Sequence, residues 1–243
     1  MQLPEPHLTV LMPVYNEEEN LRTNIALLIN KLDELKCSFE ILMVNDGSLD
    51  RSLQIIESLM SQESRIRLLQ HPFNQGIANS IITGIPEARG TFIIFIPADL
   101  ALELDELKKY LEMAQHADVI VGIRSDRRDY SVGRKIVSWI NIALIKLLFR
   151  LPQKQFNHIC MYHRRIFKQI HIESQSAFFA AEIMIKARDL GFKISELNVG
   201  YLPRKQGKSV ACSPKWIRRA FFDLMTFWFK WMKRKYEYSY YKN

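Results

Sequence analysis

Three cysteines in 243 residues, Cys37, Cys160 and Cys212, are too few and too widely spaced to frame a disulfide scaffold. They form no zinc-ligand spacing either, so a reducing compartment is expected. Long apolar runs are also missing. The most apolar stretches are Ile136–Phe149, interrupted by Lys146, and Phe221–Trp231, interrupted by Asp223 and Lys230. Both fall short of the roughly 20 apolar residues that a spanning helix needs. The opening Met1-Gln-Leu-Pro-Glu-Pro-His7 has no basic n-region and no apolar h-region, so no signal peptide is expected. Internal repeats, low-complexity tracts and Gly/Ser linkers are absent from the sequence, which argues for one domain through about Gly207.

What is present is ordinary for a globular chain, with 48% hydrophobic and 25% charged residues. A net charge of +8 favours an anionic partner. Nucleic acid, phosphorylated metabolites and anionic lipid all satisfy that charge. No nucleic-acid recognition motif is found, so that class ranks last.

Apolar, β-rich runs recur at Leu8–Val14, Glu40–Val44, Ile66–Gln70, Thr91–Ile96, Asp118–Ile123 and Lys193–Tyr201. Helical spacing separates the early ones. Leu21, Ile25, Leu28, Leu32 and Leu35 share one face, with Asn16 and Glu19 as an expected capping box. Ser48 is the expected cap of a helix carrying Leu53, Ile56 and Leu59. Alternating strands and helices imply βαβ units around a mainly parallel sheet, the α/β class. Right-handed crossovers then bring the polar loops Pro13–Glu17, Asn45–Ser48 and Pro97–Asp99 to the carboxyl edge, where ligands bind.

Several residues there carry chemistry. Asp46 suits hydrogen bonds from a base or ribose, though Asp-Gly is also a common turn pair. Asp99 and Asp46, at neighbouring strand ends, suit a divalent cation and a pyrophosphate; the alternative for Asp99 is a helix cap before Leu100–Tyr110. Asn74-Gln-Gly76 precedes a helical stretch, where Gly76 allows positive φ and the helix start faces an anion, or forms a plain turn. Glu182 sits among apolar neighbours in a helix over Ala177–Leu190, either as a functional group or turned toward solvent. Arg124, Arg127, Arg128 and Arg134 suit phosphate, as does the basic loop Arg204–Lys208, and both segments also read as solvated surface.

In order and spacing, the segments Val10–Glu17, Val44–Ser48, Asn74–Gly76, Ala88–Gly90, Ala98-Asp99, Val121–Arg124, Ala181-Glu182, Gly191–Glu196 and Pro203-Arg204 with Gly207 resemble a family 2 glycosyltransferase. The branch resembled is the dolichol-phosphate mannosyltransferase or polyprenyl-phosphate glycosyltransferase type. That resemblance implies a GT-A fold, a UDP- or GDP-hexose donor, inversion at the anomeric carbon, a lipid phosphate acceptor and a role in cell-envelope biosynthesis. It implies that Pro13, Tyr15, Glu17, Asp46, Asn74 and Gly76 bind the nucleotide. Asp99, Glu182 and Arg124 become the catalytic candidates, and Arg134, Arg204 and Lys208 those for phosphate and acceptor. Asp99 would also meet Mg²⁺ or Mn²⁺. The family's Asp-x-Asp reads Pro97-Ala-Asp99 here, which weakens that metal site. The position two beyond, often Gln in this branch, is Ala101, and Gln155 or Asn157 stands where the family usually has an aspartate. The alternative is an impaired relative that binds sugar nucleotide or acts as a scaffold.

Beyond a domain of residues 1–210, residues 211–243 form a basic, aromatic tail. Trp216, Ala220, Leu224, Phe227 and Trp231 make a helical apolar stripe beside Arg219, Asp223, Thr226, Lys230 and Lys233. Aromatic rings flanked by bases suit an interfacial helix on anionic lipid, and a helix packed on the domain is the alternative. Val137–Leu151 reads as a second surface helix or as core. A cytoplasmic protein, peripheral at the inner face of a membrane, is expected, with a membrane-protein partner or a second copy left open.

Overall fold

A computed structural model describes residues 7–124, 132–156, 159–200 and 214–240, with side chains in the last segment from 216 to 233. The apolar runs become strands because every second side chain can be buried on each sheet face. They are β1 (Leu8–Val14), β2 (Phe39–Asn45), β3 (Ile66–Gln70), β4 (Phe92–Phe95), β5 (Val119–Arg124), β6 (Cys160–His163) and β7 (Ile194–Val199). Their order across the sheet is β3-β2-β1-β4-β6-β5-β7. All pairings are parallel except those of β6, which runs antiparallel to both β4 and β5. The sequence reading contains the other six strands to within two residues at each end. It omits β6, whose four residues are too few to show alternation before Arg164-Arg165.

The helices are α1 (Leu21–Glu34), α2 (Ser52–Gln62), α3 (Ile77–Gly84), α4 (Glu106–Met113), α5 (Val132–Phe149), α6 (Phe179–Asp189) and α7 (Pro214–Tyr240). The pleat divides the interior in two. Val10, Met12, Ile41, Met43, Ile94 and Ile120 face α1, α2 and α4, where Leu21, Ile25, Leu28, Leu32, Ile56 and Leu107 are buried. Leu11, Leu42, Val44, Ile93, Val119 and Val121 face the other side, together with buried residues of α3, α5, α6 and α7.

The tail therefore differs from an appendage. Leu224 and Phe227 are buried in that second core, and Phe149 of α5 packs on Phe178, Phe227 and Trp231 at ring separations of 5.9, 5.6 and 5.4 Å. Burial of each such side chain contributes about 1.5–3 kcal/mol. Lys230 reaches Glu173 at 2.6 Å, and Trp231 Nε1 donates to Asp189 Oδ2 at 2.6 Å. The stripe expected on lipid thus faces the protein, because Phe149 of α5 and Phe178 just before α6 present rings that α7 covers, and α6 presents Lys186 and Arg188 over Phe227 and Trp231. Its other side leaves Ile217, Phe221, Phe222 and Phe229 exposed. Helix α5 is mostly surface and exposes Val132, Ile136, Trp139, Ile140 and Leu147, burying only Ile145 and Phe149. Among the described residues, no helix is long and apolar enough to cross a membrane.

Candidate active site

The strand directions deliver the loops after β1, β2, β4 and β5 to one edge. The first two loops are stitched together. Ser48 Oγ accepts from Asn16 N (3.1 Å), Ser52 Oγ from Glu17 N (2.9 Å) and Asp50 Oδ2 from Glu18 N (3.1 Å). Asn16, at φ 53°, turns its own Oδ1 onto Leu49 N at 2.8 Å. The expected capping box of Asn16 and Glu19 does not form: α1 starts after Asn20, and the Asn16 side chain is committed across to the second loop. Ser48 is likewise not the cap of α2; Asp50 Oδ1 accepts from Ser52 N at 2.9 Å instead. Burial works against the charge of Asp50, but the Ser52 and Glu18 donors outweigh it and hold the carboxyl below its ordinary range. Above these contacts Tyr15 is 40% exposed, with Pro13 and Glu17 half-buried.

Asp46 is buried and gripped from below. Its Oδ1 accepts from His71 Nδ1 (2.7 Å) and Gln75 N (2.9 Å), and its Oδ2 from Gly76 N (2.8 Å). His71, also buried, places Nε2 3.0 Å from Thr83 Oγ1 on α3. Gly76 has φ 90°, as its position before a helix anticipates. Gly47 has φ 68°, and a Cβ there would fall 2.5 Å from the Phe73 carbonyl carbon, so only glycine lets the two loops touch. The anion at the start of α3 is therefore Asp46 itself, which joins the second loop to the third. Asn74 stands exposed on the rim. Sequence reasoning missed His71. The signal was the register: Asn45 pairs with Gln70, so the residues that follow each, Asp46 and His71, stand side by side.

Asp99 is half-buried after β4, and its Oδ1 accepts from Ala101 N at 3.3 Å. It does not cap a helix, since α4 begins only after Asp105. Asn24 Nδ2 donates to Ala98 O at 2.8 Å and fixes this turn to α1. β1 lies between β2 and β4, so Asp46 and Asp99 do not follow neighbouring strands as expected: the two strands are about 10 Å apart across the sheet, and β4 ends level with Leu11, three residues before the level of Asn45. Among the described residues, no three His, Cys, Asp or Glu side chains gather as a metal cage. A lone carboxylate on an open edge fits a cation held mainly by diphosphate oxygens and water, as Mg²⁺ commonly is.

Arg124 ends β5 on the same edge and is buried. The Gln155 side chain clasps its backbone: Oε1 accepts from Arg124 N (3.2 Å) and Nε2 donates to Arg124 O (2.8 Å). An amide satisfies both groups, whereas an aspartate lacks the N–H. Glu182 on α6 is fully buried, neither turned to solvent nor left among apolar groups alone. Its Oε1 accepts from Glu173 N (2.9 Å) and Lys186 Nζ (2.7 Å), and its Oε2 from Ser174 N (2.8 Å). It anchors the 173–174 loop. Arg134 is half-buried in the first turn of α5. Arg127, Arg128, Asn157, Arg204 and Lys208 lie outside the described residues. Burial pushes the thiols of Cys37 and Cys160 up to about 11 and about 12, which keeps both protonated near neutral pH.

Residues 9–173 match the description Glycosyl transferase family 2. Undecaprenyl-phosphate 4-deoxy-4-formamido-L-arabinose transferases from Edwardsiella ictaluri and Pectobacterium carotovorum are each 30% identical to this chain, over 226 and 228 residues. Both alignments cover 90% of this chain and 67% of the relative. A glucosyl-3-phosphoglycerate synthase from Mycobacterium tuberculosis, solved with Mg²⁺ and UDP, superposes with a TM-score of 0.68 at 13% identity, over 91% of this chain and 79% of that one. The mannosyltransferase PcManGT from Pyrobaculum calidifontis, solved with GDP-Man and Mn²⁺, gives 0.63 at 15% identity, over 85% and 59%. These superpositions establish the GT-A fold. The relatives are named as transferases, which leaves the impaired, scaffolding alternative without support. The chain is a glycosyltransferase and belongs to glycosyl transferase family 2.

Proposed function

We propose that this protein moves a hexose from a UDP- or GDP-sugar to a polyprenyl phosphate at the inner face of a membrane. The observation that carries the acceptor in this reading is the 30% identity across 90% of the chain to transferases named for undecaprenyl phosphate; the sugar in their name is an arabinose, a pentose, so the hexose rests on the family resemblance alone. Tyr15, with Pro13 and Glu17, lines the nucleotide from the first loop, while Asp46 and Gly76 shape the floor and Asn74 the rim. Arg124, with Arg134, Arg204 and Lys208, supplies positive charge for the diphosphate and the acceptor phosphate. A phosphate oxygen is already ionised at neutral pH, so no strong general base is required. That oxygen attacks the anomeric carbon opposite the diphosphate; the new C–O bond forms as the old one breaks, and the nucleoside diphosphate leaves with the electron pair. Configuration inverts. The barrier falls through alignment and through charge neutralisation on the leaving group. Asp99 would hold Mg²⁺ or Mn²⁺, whose chemistry is to neutralise that same charge. Glu182 supports this geometry as the anchor of the 173–174 loop.

The exposed apolar residues of α5 and α7, with Arg134, Lys135, Lys146 and Arg218, suit a helix pair resting on anionic lipid. The test is a donor screen with undecaprenyl phosphate in vesicles, Mg²⁺ or Mn²⁺, and mass analysis of the lipid. A glycosyl-phospho-lipid from one donor is the expected product. Failure of every UDP- and GDP-hexose to bind or react overturns the reading.

A further inference from the structure

Helix α7 touches the donor edge as well as the core. Trp216, in its first turn, lies over Gly76: a Cβ on that glycine would come 3.7 Å from Trp216 Cη2. Gly76 is the residue whose N–H donates to Asp46 Oδ2. Arg219, three residues on, stacks over the Trp216 ring with 5.8 Å from Cζ to the ring centroid, and its Nη2 donates to Gln175 Oε1 at 2.9 Å. Gln175 follows Glu173 and Ser174, whose N–H groups Glu182 holds. The start of α7 thus spans two loops, one gripped by Asp46 and one by Glu182. The same stretch carries Ile217, Phe221 and Phe222, all exposed.

We propose that Trp216 and Arg219 are positioning residues of the donor site, which set the Asn74–Gly76 loop from above and link nucleotide affinity to the docking of α7 on lipid. This rests on the donor reading given above. Gly76 has no side chain to fix its own conformation, so the loop needs clamps from outside. Asp46 supplies one from beneath and the Trp216 ring the other, a rigid body with only two side-chain torsions. Removing the ring leaves the loop held on one side, which weakens donor binding and leaves the reaction of bound donor unchanged. Linkage makes the effect reciprocal: lipid that steadies α7 tightens nucleotide binding, and nucleotide tightens lipid binding.

The test is calorimetric titration of the full chain with UDP and GDP, with and without phosphatidylglycerol vesicles, paired with steady-state kinetics. Trp216→Ala is expected to weaken nucleotide binding about fivefold, the low end of coupling between sites. Donor KM should rise with kcat and acceptor KM unchanged, and Trp216→Phe should recover most of the loss. Vesicles should tighten nucleotide binding by the wild type and not by Trp216→Ala; Phe222→Ser should keep its affinity in solution and lose the vesicle effect. Arg219→Gln asks the same question without touching the buried Leu224 and Phe227, should Trp216→Ala not fold. Wild-type nucleotide affinity in both variants, or a fall in kcat at constant KM, overturns the proposal while the donor reading stands. A wild-type chain that binds neither nucleotide overturns both.

Discussion

The loops at residues 14–18 and 46–52 exchange hydrogen bonds almost as closely as paired strands, and Asp46 extends the stitching to residues 71–76. Helices α5 and α7 do the reverse, turning Trp139, Leu147, Phe222 and Phe229 out to solvent. The edge proposed for the donor is already stitched together in the absence of ligand, so in that reading little ordering is left to oppose binding. The helical region keeps apolar area uncovered, the mark of a contact surface.

The largest effect should come from breaking the first region at its centre. Asp46→Ala strands a buried histidine and two backbone N–H groups, at about 1–3 kcal/mol each, and should abolish nucleotide binding in a titration while lowering the melting temperature. Gly47→Ala comes next. Positive φ alone strains an alanine by about 1–3 kcal/mol, and the new Cβ meets the Phe73 backbone; donor affinity and thermal stability should fall together. The second region should respond in the opposite way. The double variant Trp139→Ser, Phe222→Ser, at side chains 71% and 60% exposed, should melt like the wild type yet lose about tenfold in sedimentation with anionic vesicles. An early melt in that variant would place these side chains in the core.

The smallest effect lies where the regions join. The Lys230 ammonium beside Glu173 holds its carboxyl down at about 2, with burial opposing and Lys186 assisting. A carboxyl lowered on folding stabilises above its ordinary value near 4.5 and loses that contribution as pH falls toward 2. Proteolysis of α7 should therefore quicken between those limits, and Glu173→Gln should flatten the dependence.

Most of the sheet was legible because Leu8–Val14 and Ile66–Gln70 combine β-rich composition with clear boundaries. The helix face of Leu21, Ile25, Leu28 and Leu32 was legible by period alone. The caps were not: Asn16 and Ser48 have cap chemistry, but partners thirty residues away in sequence claimed their side chains. The same long-range competition hid the internal role of Asp46. Glu182 is claimed closer to home, by Lys186 and the N–H groups of Glu173 and Ser174, and neither carboxylate was visible as an anchor. For α7 the stripe was legible and its partner was not, since a wide aromatic face reads alike against lipid or protein. The exposed and buried sides had to be told apart by what α5 and α6 offer.

The reversed strand β6 has a consequence for synthesis. As the nascent chain leaves the ribosome, β1 to β4 can pair in order of appearance, but β5 cannot join them, because its neighbours in the finished sheet are β6 and β7. Until residues 160–163 emerge, β4 keeps one edge open and β5 has no seat beside it. A sheet assembled in order of emergence passes through a half-sheet with a bare flank, the stage at which a chaperone has most to do.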